Sequence, residues 1–103
     1  MNETVLSLDG RLQAATVPAL EHQLNEVTLL GNEHLLVDLS RVSFIGSVAL
    51  RAILVTAKRL AAAGGKLAVF APPHIAQIFT VSGLDAIVPV RLSLEEAREA
   101  LTG

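Results

Sequence analysis

The stretch Val37-Asp38-Leu39-Ser40-Arg41-Val42-Ser43-Phe44-Ile45-Gly46-Ser47-Val48-Ala49-Leu50 joins a short apolar run to a long segment rich in Ala and Leu. The run, Leu35-Leu36-Val37-Asp38-Leu39, shows no polar alternation, as befits a strand covered on both faces, so it is expected at the centre of a sheet. From Ser47 to Ala63, length and composition predict a helix, and Gly64-Gly65 ends it because glycine accepts the left-handed backbone of a helix stop. A buried strand feeding a helix is the building unit of α/β domains.

Towards the N-terminus, Thr16 is a candidate N-cap and Pro18 lies in the first turn, where its missing N–H costs nothing. Val17, Leu20, Leu24 and Val27 then repeat at spacings of three and four opposite Glu21, Asn25 and Glu26, an amphipathic helix that Gly31 can stop. Before it, Thr4 to Asp9 reads as a strand closed by a turn at Gly10. Towards the C-terminus, Lys66–Phe70 is a strand, Pro72-Pro73 breaks it, and His74–Val81 forms a two-turn helix stopped at Ser82-Gly83. Ile87–Val90 is a weaker strand, placed at an edge because Pro89 has no N–H for a ladder. Ser93 and Glu96 make a capping box that opens a last helix. The order β-α-β-α-β-α-β-α predicts one α/β domain over residues 1–103. Its small, mostly parallel sheet has about four strands, shorter than the roughly four helices with which they alternate.

A chain of 103 residues builds one core and leaves its function to the surface. Without Cys there is no disulfide framework and no thiol chemistry, which fits a reducing, cytoplasmic setting. No stretch reaches the roughly 18 to 20 apolar residues of a spanning helix, and Met1-Asn2-Glu3-Thr4 lacks the basic opening of a signal peptide. Neither membrane insertion nor export is expected. The eight Lys and Arg are scattered along a chain of net charge −2, whereas nucleic-acid binding needs a concentrated basic patch.

Catalytic and ligand motifs are equally sparse. Neither glycine-rich phosphate loop occurs, and Gly64-Gly65 precedes a strand rather than a helix. His22, His34 and His74 fall in separate predicted elements with no metal-ligand spacing, so each is expected at the surface and neither metal nor cofactor is expected. Asp9 and Asp38 lie at predicted strand ends, with Asp38 read as capping a loop. Ser47 as a hydrolase nucleophile would lack both the Gly-x-Ser-x-Gly elbow and an assignable base, which argues against an enzyme.

The opening stretch resembles the signature of the STAS domain family, typified by bacterial anti-sigma factor antagonists, which runs D-L-S-x-V-x-F-[ILM]-D-S-[ST]-G-L. Asp38-Leu39-Ser40, Val42, Phe44-Ile45, Ser47 and Leu50 stand at matching positions. A second segment, Phe79-Thr80-Val81-Ser82-Gly83-Leu84, is similar to the family's F-x-x-S-G-L, and with Leu8–Leu12 and the βα order the resemblance covers almost the whole chain. It implies a regulatory module without catalysis, in which the serine matching Ser47 is phosphorylated by a cognate anti-sigma factor that is also a serine kinase of the ATPase type. The dephosphorylated form binds that kinase and frees the sigma factor. Three neighbours depart from the pattern: Gly46 replaces an acidic residue, Val48 a Ser or Thr, and Ala49 a Gly. The hydroxyl is kept while the surface a kinase would read is altered. STAS domains also partner membrane transporters, so docking on a transporter ATPase subunit without phosphorylation is the alternative.

The residues themselves permit a switch. A phosphate on Ser47 at a helix start would face free N–H groups and the positive dipole end, adding about −1.5 to −2 charge without unfolding the domain. The competing reading makes Ser47 only an N-cap. On a helical wheel Leu50, Ile53, Leu54, Ala57 and Leu60 share the core face, with Val48, Arg51, Val55 and Arg59 roughly opposite. Exposed valines flanked by arginines suit a protein-binding face. Ser47 is the candidate phosphorylation site; Asp38, Gly46 and Val48 are expected to shape its surroundings and Arg51 and Val55 to contribute to docking, so that Asp38, Gly46, Ser47, Val48, Arg51 and Val55 are the candidate partner-binding residues.

Overall fold

The computed structural model describes residues 3–29 and 34–102. Gly31, the expected stop of the first helix, lies outside the described residues. Four strands pair in the order β1-β2-β3-β4, all parallel: β1 Glu3–Leu12, β2 His34–Ile45, β3 Lys66–Phe70 and β4 Val90–Arg91. Between and after them run α1 Val17–Leu29, α2 Ser47–Ala62, α3 Pro73–Val81 and α4 Leu94–Thr102, with a short 3₁₀ turn at Leu84–Ala86.

Strand alternation sorts the core into two layers. Leu35, Val37 and Leu39 of β2 and Leu67 and Val69 of β3 join Val17, Leu20 and Leu24 of α1, Ile53 and Leu60 of α2, and Ile75 and Phe79 of α3. On the opposite face Leu36 and Ala68 meet Ala97 and Leu101 of α4. The absence of alternation in Leu35–Leu39 thus has the predicted cause, a central strand covered on both sides. Each of these fully buried Leu and Ile side chains contributes about 1.5–3 kcal/mol.

Both long strands exceed the sequence reading. Gly10 does not close β1: with φ +73° it sits inside the strand, which continues to Leu12. The register moves from Ser7↔Asp38 to Asp9↔Arg41 and from Gly10↔Val42 to Arg11↔Phe44, so β2 carries one extra residue at each of two bulges. With 10 and 12 residues, β1 and β2 are longer than α3 and α4, against the expectation of short strands. β2 pairs with β3 only from His34 to Asp38; beyond that it pairs with β1 alone and carries the chain to α2.

The remaining boundaries follow local chemistry. β3 spans the predicted residues, and β4 is a two-residue edge in which Pro89 takes part through its carbonyl, accepting from Val69 N–H at 2.8 Å. At the end of α2, Gly65 N–H donates to Leu60 O (2.7 Å) and Gly64 N–H to Ala61 O (3.0 Å), with Gly64 at φ +85°. Thr16 departs from simple capping: its hydroxyl accepts from Gln13 N–H and lies 2.8 Å from Arg11 O, tying the α1 entrance to the end of β1.

Candidate functional site

The end of β2 delivers Gly46 and Ser47 to the first turn of α2. Gly46 N–H donates to Leu12 O at 2.8 Å, fastening the α2 entrance to β1, while Gly46 O accepts from Leu50 N–H. Gly46, not Ser47, is therefore the N-cap, and Ser47 is the first helical residue. No side chain caps α2 and no acidic residue lies in its first turn. Ser47 is exposed, and among the described residues its hydroxyl has no hydrogen-bond partner. The capping role set against phosphorylation is thus not the one Ser47 performs.

Gly46 is not required by its backbone, whose φ of −93° suits any residue. A Cβ there would meet Phe44 Cε2 at 3.5 Å and Leu12 O at 3.6 Å, ordinary contacts. Its effect is to leave the approach to Ser47 without a side chain or charge. Beside it Phe44 is 37% exposed, with the Arg11 guanidinium 4.6 Å from its ring centroid, within cation–π range.

The candidate residues divide. Val48 and Val55 are exposed at 49% and 43%, and Arg51 is exposed between them on α2. Ser47, Val48 and Arg51 line an open depression of about 460 Å³ with Leu54, Ser82 and Leu84. Val48, Arg51 and Val55 also border a groove of about 300 Å³ between α2 and α1, whose far wall includes Glu21 and Leu24. Arg59, placed with this face on the wheel, is anchored instead, donating to Asn25 Oδ1 at 2.8 Å across the α1–α2 contact.

Asp38 is not brought to Ser47. Two residues beyond Leu36, it stands on the α4 side of the sheet, whereas α2 covers the other. It caps no loop: it lies within β2, where its Oδ1 accepts from Ser40 N–H (2.9 Å) and its Oδ2 from the Ser7 hydroxyl (3.4 Å). Those bonds occupy the first bulge, so Asp38 acts on the path of β2 rather than on a surface shared with Ser47.

Sequence reasoning misses Leu54, Ser82 and Leu84 as members of the site. Leu54, which the helical wheel assigns to the core face, is only half-buried. Ser82 and Leu84 belong to the second family-like segment, and that motif is the signal that could have found them; nothing in the linear sequence places it beside Ser47. The Ser82 hydroxyl is engaged, donating to Ile78 O at 2.8 Å, which leaves Ser47 as the uncommitted hydroxyl of the depression.

The histidines remain dispersed. His22 pairs with Glu26 at 2.9 Å on α1, and His74 is exposed. His34, contrary to the surface expectation, is half-buried, with Nδ1 unpartnered at the far end of β2 from Ser47. Among the described residues no cluster of three His, Asp or Glu could hold a metal, and no helix is long and apolar enough to cross a membrane.

The βα order, the β2–α2 junction and the Ser82–Leu84 turn beside it coincide with a known family: the STAS domain model matches residues 2–97. The chain belongs to the STAS domain family. Among STAS relatives, BtrV of Bordetella bronchiseptica, a candidate anti-sigma factor antagonist, is 33% identical over 97 residues, covering 93% of this chain and 84% of BtrV. The anti-sigma-F factor antagonist RsfB of Mycobacterium tuberculosis is 38% identical over 56 residues, 54% of this chain and 46% of RsfB. The crystal structure of an anti-sigma factor antagonist from Mycobacterium paratuberculosis superposes with a TM-score of 0.91 at 30% identity, covering 99% of this chain and 87% of that one.

Proposed function

We propose that this STAS domain is an anti-sigma factor antagonist that binds an anti-sigma factor through the exposed side of α2 and the adjoining Ser82–Leu84 turn, and is switched by phosphorylation of Ser47. The observation that carries the reading is the exposed, unbonded hydroxyl of Ser47 at the rim of a partly apolar depression. Val48, Arg51 and Val55 form the contact surface, Gly46 leaves the approach open, and Asp38 holds the β2 bulge upstream. The relatives named as anti-sigma factor antagonists support this partner class; none of those named is a transporter subunit, which disfavours the alternative.

Catalysis resides in the partner. The Ser47 oxygen takes the γ-phosphoryl group of ATP, ADP leaves, and the hydroxyl proton passes to a base on the kinase. The product adds about −1.5 to −2 charge at the mouth of the depression, where it opposes docking by desolvation and repulsion. The unmodified domain is then the binding form.

The test uses the anti-sigma factor from the same organism, purified with ATP. The unmodified domain is expected to bind it and to incorporate one phosphate, and Ser47→Ala to bind without labelling. Equal labelling of both proteins would reject the site, and co-purification with a transporter ATPase instead would reject the partner class.

A further inference from the structure

Arg51 is the charged residue that the two recesses beside α2 have in common. With Val48, it lines both the depression headed by Ser47 and the groove between α1 and α2. Arg59 is engaged on Asn25, Arg98 on Glu3 at 3.0 Å and Arg11 over Phe44, while Arg41 on β2, also without a partner among the described residues, lines neither recess. Among the described residues Arg51 has no hydrogen bond or ion pair, and Glu21 across the groove lies beyond ion-pair distance.

Ser47 and Arg51 are one helical turn apart, i and i+4, where side chains on a helix meet. An anion N-terminal to a cation at this spacing is the favourable orientation, and the planar guanidinium fork matches phosphate oxygens. No acid in the first turn competes, and Gly46 interposes no side chain.

Resting on the phosphorylation of Ser47 proposed above, we propose that Arg51 changes hands between the two states. In the unmodified domain it receives a carboxylate of the anti-sigma factor; in the phosphorylated domain the phosphoryl group on Ser47 takes it. Modification then weakens docking twice over, by placing negative charge at the surface and by withdrawing the cation that a partner carboxylate requires. The carboxylate follows from charge: an exposed, unpaired arginine between two apolar valines offers a partner one permanent positive charge.

The first arm needs no kinase. The full chain is made with phosphoserine incorporated at position 47, with and without Arg51→Gln, and titrated by phosphorus NMR. The second ionisation of phosphoserine, about 6 in the absence of a partner, is expected about 0.2–0.4 unit lower when Arg51 is present than in the Arg51→Gln protein, while Arg51→Lys retains part of the difference. Equal ionisation in the Arg51 and Arg51→Gln proteins overturns the contact, whether or not any anti-sigma factor recognises the domain.

The second arm measures affinity for the anti-sigma factor in a double cycle. Arg51→Gln is expected to weaken the unmodified domain about tenfold and to shrink the further loss caused by phosphorylation. Equal losses in the two backgrounds overturn the handover. If no anti-sigma factor binds at all, the function fails while the phosphorus result still decides the contact.

Discussion

Ser47 and Ser93 both stand at the start of a helix, yet they are used in opposite ways. At α4 the Ser93 hydroxyl accepts from Glu96 N–H at 3.1 Å and donates to Glu96 Oε1 at 2.9 Å, and Glu95 and Glu96 place negative charge at the positive helix end. The capping box forms with one difference from its expected geometry, since the carboxylate meets the hydroxyl. At α2 the cap is a glycine, the first turn has no acid, and the Ser47 hydroxyl has no hydrogen-bond partner among the described residues. One entrance is closed by its own side chains; the other is left open to whatever binds or modifies it.

The comparison breaks most visibly on modification. Incubation with the cognate kinase and ATP should label Ser93→Ala as fully as the parent and Ser47→Ala not at all, read by intact-protein mass. Labelling at Ser93 would erase the distinction between the two entrances. A smaller effect is expected on docking: Val55→Glu, placing a charge on the exposed side of α2, should weaken anti-sigma factor binding about tenfold by calorimetry. Unchanged affinity would remove the α1-facing groove from the interface and leave the Ser82–Leu84 side.

Stability sharpens the same contrast. Ser93→Ala should cost about 1 kcal/mol in urea unfolding, because it removes an N-cap, whereas Ser47→Ala should stay within about 0.5 kcal/mol of the parent. A comparable loss at both positions would show that Ser47 also holds its helix. The smallest change expected is a gain: Gly46→Asp supplies the missing cap and an acid at the α2 entrance, and should stabilise by a few tenths of a kcal/mol, about 0.5 at most. Destabilisation there would mean that the contacts with Phe44 and Leu12 O are tighter than 3.5 Å allows.

Much of the fold was legible because local chemistry set it. Lys66–Phe70, the helix closed by Gly64-Gly65, the edge position imposed by Pro89 and the Ser93 cap each depend on residues a few places apart. The ends of β1 and β2 were not legible. A bulge inserts a residue and breaks the two-residue period on which strand reading relies, so the part of β2 from Arg41 to Ile45 loses its pattern while its pairing with β1 resumes. The candidate site was legible in part for the same reason. Ser47, Val48, Arg51 and Val55 share one helix and are found together, whereas Asp38 belongs to the same family-like stretch although the pleat turns it to the opposite sheet face.

By itself the sequence determined the alternation of strands and helices, the central place of Leu35–Leu39, and the apolar stripe of α2, because helix and strand periods and turn residues are properties of neighbours along the chain. Only the tertiary structure decided that Ser47 has no bond to make, that Leu54, Ser82 and Leu84 stand beside it, and that Arg51 faces two recesses. Those facts depend on which surfaces the parallel crossovers bring together, and no local pattern encodes the distance between two side chains far apart in the chain.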